Sequence, residues 1–213
     1  MDNRKASVAS VLAFVLAMAA APLSAQTKDI IEEWASVQAP KAPELKPVTL
    51  DPKTTALLVL DFVKQTCNNE QRPRCLASIP KVEGLLKQAR ANKASVIFSY
   101  TSRSTPADIA KELTPLDGEP MVRASADKFL GTDLEKILKE KGITTVIVTG
   151  TAAHGAVLYT GSQAAYRGFK VIVPVDGMSS ESTYFEQYTV YQLANAPGVG
   201  QQVTLTRIDM IKY

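Results

Sequence analysis

Three side chains in this sequence could do chemistry: a carboxylate, an imidazole and a guanidinium set among apolar runs. Leu57-Leu-Val-Leu60 is followed at once by Asp61. A carboxylate that closes a buried apolar strand lies where open α/β sheets build their sites. Burial disfavours its charged form and suits it to general acid or base work. The same position equally suits a cap for the next loop's N–H groups. His154 lies in Gly150-Thr-Ala-Ala-His-Gly-Ala156, just after the β-branched run Val146-Ile-Val-Thr149. It could line a pocket, donate a hydrogen bond or shuttle a proton, or simply cap the following helix. It is the chain's single histidine, so no His-based metal cluster can form, and neither a metal nor a cofactor is expected. Arg123, in Met121-Val-Arg-Ala-Ser-Ala126, reads on its own as a solvated surface charge, and Lys128 does too.

Strands and helices must alternate to hold these groups. Residues 55–60 read as a strand buried on both faces. Residues 79–91 read as an amphipathic helix with Val82, Leu85, Leu86 and Ala89 inward. A strand over 94–100 and a polar excursion over 101–120 follow, then a helix over 130–141 stopped by Gly142. The strand that begins at Val146 runs into a helix that lasts until Arg167-Gly168. Such a junction places unpaired helix-start N–H groups at the sheet's carboxyl edge. The small residues Gly150, Ala152, Ala153, Gly155 and Ala156 let a substrate approach that backbone. A strand over 170–176, a helix over 182–194 and a strand over 201–206 complete the pattern. The fold class is therefore α/β, a single domain with a mostly parallel sheet. Tyr184, Tyr188 and Tyr191 share a helix face and point to core or subunit packing.

The first 25 residues read as an address. Arg4 and Lys5 precede an apolar stretch over 8–21, Pro22 breaks it, and Leu23-Ser-Ala25 ends on a small residue. This is the pattern of a signal peptide cut after Ala25, directing the chain to a periplasm or beyond. After cleavage no membrane partner is expected. The net charge of +3 is small and unclustered, which argues against nucleic acid. Residues 26–53 carry Pro40, Pro43, Pro47 and Pro52 and read as an N-terminal arm ahead of a domain over 54–213. Cys67 and Cys75 are the only cysteines and enclose a polar loop. In an oxidising compartment they are disulfide candidates.

Three blocks then carry a resemblance. Leu57-Leu-Val-Leu-Asp61, Arg123-x4-Lys128-Phe-x-Gly-Thr-x-Leu134 and Val148-Thr-Gly-Thr-Ala-Ala-His-Gly-Ala-Val157 resemble, in order and spacing, the motifs of the isochorismatase-like (cysteine hydrolase) superfamily. Val171-x-Val-Pro-Val-Asp176-Gly is similar to the strand that follows in that family. The resemblance implies a three-layer sandwich with helices on both faces of the sheet. It also implies an Asp-Lys-Cys triad, of which this chain keeps Asp61. By its offset from the Phe-x-Gly-Thr block the family Lys falls on Arg123, and the family Cys falls on Ala156. Lys128, close by in sequence, is the other candidate for the Lys.

Without a thiolate, acyl-enzyme amidase chemistry has no nucleophile. The superfamily has a branch lacking the Cys, with an Ala-His pair before a small residue, and Ala153-His154 looks like that pair. The chemistry implied there is protonation of a vinyl ether by the Asp, then attack by water. Arg123 would bind a substrate carboxylate. Thr151–Ala152 matches a position that the family often builds as a cis peptide, which would aim the Ala152 and Ala156 N–H groups into the pocket. The expectation is an exported hydrolase of a small organic substrate, without a Cys nucleophile, with Asp61 as general acid or base. The alternative is a non-catalytic binding module on the same fold. A homo-oligomer is a further implication of the resemblance, with the Tyr-rich helix as candidate contact.

Overall fold

The structure, a computed structural model, describes residues 28–213. The expected signal peptide and its cleavage point lie outside the described residues. Two compact units divide the chain at Ala39–Pro40. In the first, a single-turn helix α1, Ile30–Glu33, is held by a capping box between Asp29 and Glu32. The second unit holds everything else.

That unit opens with strand β1, Val48–Thr49, within the segment expected as an arm. Next come β2, Thr55–Leu60, helix α2, Pro73–Ala91, and β3, Ser95–Tyr100. Strand β4, Met121–Arg123, leads to α3, Leu134–Glu140, and β5, Thr145–Thr151. A π-helical turn over Ala153–Val157 feeds α4, Leu158–Tyr166. Strands β6, Lys170–Pro174, and β7, Met178–Ser179, precede α5, Thr183–Asn195. Strands β8, Val203–Thr206, and β9, Ile211–Lys212, close the order.

The main sheet runs β4-β3-β2-β5-β6-β8, with every pairing parallel, and β7 adds to the end of β5. All six residues of β2 are buried, as a central strand covered on both faces requires. Its side chains alternate between two cores. Leu58 and Leu60 join Leu134, Leu138, Ala164 and Leu193 from α3, α4 and α5. Leu57 and Val59 join Val82, Leu85, Leu86 and Ala89 from α2. The α/β class and the layered arrangement expected from the sequence are those observed.

The chain leaves β2 toward β3 and β4, then crosses back to add β5 on the other side. The carboxyl ends of β2 and β5 thus flank a topological switch point, where neighbouring connections diverge and leave a crevice. Gly150 makes this close pairing possible. Its φ is +155°, and a Cβ there would lie 2.7 Å from both the Leu60 Cβ and the Leu60 carbonyl oxygen.

Several element bounds depart from expectation. Helix α2 begins six residues before position 79, with Pro73 in its first turn and Pro80 inside it. Pro73 lacks an N–H that the first turn could not have used. Helix α3 is shorter than 130–141 because residues 127–132 form a looped turn: Asp127 accepts from the Phe129 N–H and Thr132 donates to the Lys128 carbonyl. Strand β6 stops at Pro174, and Asp176 beyond it caps the Ile208 N–H at 2.9 Å and pairs with Lys81. Tyr184, Tyr188 and Tyr191 are all exposed, so they do not pack in the core. Strand β1 pairs with β9, placing residues 48–49 beside 211–212. Among the described residues no helix is long and apolar enough to cross a membrane.

Cys67 and Cys75 form a disulfide with Cα atoms 5.3 Å apart. It closes the loop that enters α2. Replacing both cysteines by serine should lower the urea unfolding free energy by roughly 2–3 kcal/mol, the chain-entropy value for so short a loop. Mass spectrometry after alkylation should show two labels only on the reduced protein. Labels on the unreduced protein would mean that the bond is absent in solution.

Candidate active site

Asp61 is the first residue past β2, with a left-handed φ of +56°. Aspartate tolerates that region better than most residues. The turn directs its carboxylate into the protein, where Oδ1 accepts from Ser99 Oγ at 2.7 Å and Oδ2 from Lys128 Nζ at 2.5 Å. The backbone is tied as well. The Asp61 N–H donates to the Ser99 carbonyl at 3.2 Å, and Thr66 Oγ1 donates to the Asp61 carbonyl at 2.5 Å. Burial is the largest influence on the carboxyl and pushes its pKa above the ordinary aspartate value. The Lys128 ammonium, the two hydrogen bonds and the more distant Arg72 charge oppose that rise without cancelling it.

Lys128 is 0% exposed. Its ammonium also donates to the Ser125 carbonyl, and its N–H to Thr160 Oγ1 at 3.2 Å. The looped turn over 127–132 bends the lysine inward. Arg123, five residues earlier, ends the edge strand β4. Its neighbour Val122 is buried, so alternation turns Arg123 outward, where the guanidinium donates to the Ser102 carbonyl. The expectation that Arg123 holds the family Lys position beside the acid is therefore corrected: the cation against Asp61 is Lys128. Counting back from the Phe-x-Gly-Thr block misses this because the loop, not the strand end, supplies the inward-facing residue.

The turn after β5 supplies the opposite wall. Thr151–Ala152 is a cis peptide. Ala152 is half-buried, while Ala153 and Ala156 are buried in the core. Their burial puts the Ala153 and Ala156 side chains in packing contacts rather than on an open wall. Position 156 carries only a methyl group and offers no nucleophile.

His154 is fixed from several sides, none of them Asp61. Its Nδ1 lies 2.8 Å from Ser180 Oγ, and its Nε2 lies 3.6 Å from Glu181 Oε1. Its ring stacks on Phe185 at 4.1 Å between centroids. It lines a groove of about 450 Å³ between α4 and α5 with Leu158, Tyr159, Tyr184 and Tyr188. Glu181 also accepts from Arg72 Nε at 3.1 Å and from Ser180 Oγ at 3.0 Å. Ser99, Thr66, Arg72, Ser180 and Glu181 are thus site residues that sequence reasoning passed over. Ser99 lies at the end of β3 and the others in the loops after β2 and β7, and only the parallel register brings them together. Among the described residues, no group of three or more His, Cys, Asp or Glu is placed to hold a metal ion.

Comparison with known proteins agrees with this architecture. The Isochorismatase domain profile matches residues 55–206. A secreted isochorismatase effector from Verticillium dahliae is 28% identical over 144 residues, covering 62% of this chain and 76% of that one. N-carbamoylsarcosine amidase from Arthrobacter is 34% identical over 93 residues, 43% of this chain and 35% of that one. The structure of an isochorismatase family protein from Burkholderia thailandensis superposes with a TM-score of 0.65 at 23% identity, covering 78% of this chain and 96% of that one.

Removing Lys128 tests the electrostatics directly. Lys128→Met should cost roughly 3–5 kcal/mol of stability at alkaline pH, as breaking a buried pair does. The loss should shrink on acidification. An unpaired buried Asp61 has its folded pKa raised further, so the protonated state favours folding below that pKa, and this support is lost as pH rises through it. Urea titrations at several pH values would show it. A loss independent of pH would contradict this account of the pair.

Proposed function

The chain belongs to the isochorismatase family, and we propose that it is an exported hydrolase of a small organic substrate, working without a Cys nucleophile and with Asp61 as general acid. One observation carries the reading. The carboxyl at the switch point is held toward its protonated form by burial, with a lysine against it, while position 156 is alanine.

The chemistry follows from that pair. A protonated Asp61 gives its proton to the vinyl carbon, whose π pair forms the new C–H bond and leaves an oxocarbenium ion. Water adds to the electron-poor carbon and returns a proton to Asp61, and the resulting hemiketal collapses, its hydroxyl proton passing to the ether oxygen as the C–O bond breaks to give a carbonyl compound and an alcohol. The Lys128 ammonium stands ready for the carboxylate that forms as the proton departs. An interaction that strengthens along the reaction lowers the barrier rather than only binding the substrate. Protonation of a vinyl ether is the step best matched to these groups. The Ala152 and Ala156 N–H groups are the proposed donors to a substrate oxygen. Export is supported by the disulfide and by the secreted relative. Ala156 also supports a second reading, a pocket that binds without turning over.

Hydrolysis by the exported protein should be measured against isochorismate, nicotinamide, N-carbamoyl amino acids and small esters. Asp61→Asn should reduce turnover of the responsive substrate about 10²–10⁴-fold while circular dichroism shows a folded chain. Activity should fall as pH rises through the raised Asp61 pKa, because the acid form is then lost. Silence across the panel, from a folded protein, would favour the binding reading. Turnover that survives Asp61→Asn would overturn the role of the acid.

A further inference from the structure

The disulfide-closed loop delivers one cation to this site. Arg72 is its penultimate polar residue, directly before α2. Its side chain is mostly buried, and its charge reaches Asp61. One edge of the guanidinium is anchored: Nη1 donates to the Thr66 carbonyl at 3.3 Å. Thr66 is the residue whose hydroxyl holds the Asp61 carbonyl. The acid and the guanidinium are therefore joined through a single residue, Thr66, which directly precedes the loop that Cys67–Cys75 closes. The other edge meets a carboxylate, Glu181, with Nε to Oε2 at 3.1 Å. Glu181 is more exposed than the arginine it binds and has a second partner at hand, since its Oε1 faces His154 Nε2 at 3.6 Å.

We propose that Arg72 is the residue that selects an anionic substrate group, taking a small-molecule carboxylate in exchange for Glu181. The idea rests on the reading of Asp61 as the active-site acid. A guanidinium already bonded to a carboxylate has the geometry to hold another one. The Thr66 anchor keeps it in place during the exchange, and the released Glu181 turns to His154. The substrate is thereby a carboxylic acid whose reacting atom lies toward Asp61 while its carboxylate lies on Arg72. Arg123, turned away to Ser102, does not take this part.

Equilibrium binding separates this proposal from the reaction. Benzoate and pyruvate should be compared with benzamide and pyruvamide by calorimetry. At least one acid should bind about tenfold or more tightly than its amide, the difference one charge-assisted pair supplies. Arg72→Gln should abolish that preference, and Arg72→Lys should keep part of it. Glu181→Gln, which removes the internal competitor, should tighten binding of the acid several-fold, and this variant decides the matter if Arg72→Gln does not fold. His154 is the chain's one imidazole, so its resonance should move on binding of the acid and not of the amide. Equal affinity for acid and amide, no binding of either, a preference that survives Arg72→Gln, or unchanged affinity in Glu181→Gln would overturn the proposal. The preference should persist in Asp61→Asn. A preference without turnover anywhere would defeat the proposed reaction alone, and turnover without preference would defeat this inference alone.

Discussion

The buried pair between Asp61 and Lys128 is the constraint to which the rest of the site answers. In its ionised form the pair is two charges removed from water, which is costly, and their attraction offsets that cost only where geometry and further hydrogen bonds are good; burial shifts the balance toward the protonated carboxyl. Both conditions are met by the chain around them. Ser99 serves one carboxylate oxygen and Lys128 the other, while the Ser125 carbonyl takes another ammonium proton. Each partner comes from a different element: the end of β2, the end of β3 and the loop after β4. The parallel sheet gathers them, because parallel strands end on the same edge. The pair in turn fixes where the loop after β4 must run, which explains why α3 starts only at Leu134.

The crevice that holds the pair follows from connection order rather than from any one residue. β2 and β5 are neighbours in space, but the connections that leave them part in opposite directions. Gly150 lets the two strands stay paired to the end, up to the register Leu60↔Gly150. The loop after β2 then reaches across the opening toward the residues that follow β7, where Arg72 meets Glu181. Strand pairing thus sets the Asp61–Lys128 pair at the floor, and the Arg72–Glu181 ion pair crosses the rim.

Much of this was legible in the sequence, for physical reasons. Continuous apolar runs ending in a polar residue announce central strands, so the sequence alone places Asp61 and the turn after β5 at the sheet edge. The Cys67–Cys75 disulfide followed from two cysteines around a polar loop. The lysine was harder. Spacing in a motif counts residues and not directions, and a turned loop carries Lys128 inward while strand alternation sends Arg123 out. Arg72, Thr66 and Glu181 left no local signal at all, since each looks like an ordinary polar residue in a loop. Pro80 concealed the first part of α2, because propensity weighs a helical proline heavily and tertiary packing weighs it little. The tyrosines of α5 read as a core or subunit face, and the core packing of that helix is carried instead by Thr189 and Leu193.

The small ladder between β1 and β9 joins residues near opposite ends of the described chain. The Leu50 N–H completes it by donating to the Lys212 carbonyl at 2.8 Å. Such a contact spans nearly the whole larger unit in sequence, and loop closure of that length is a late event in folding. A chain that emerges with its first residues ahead holds β1 without a partner until β9 has followed.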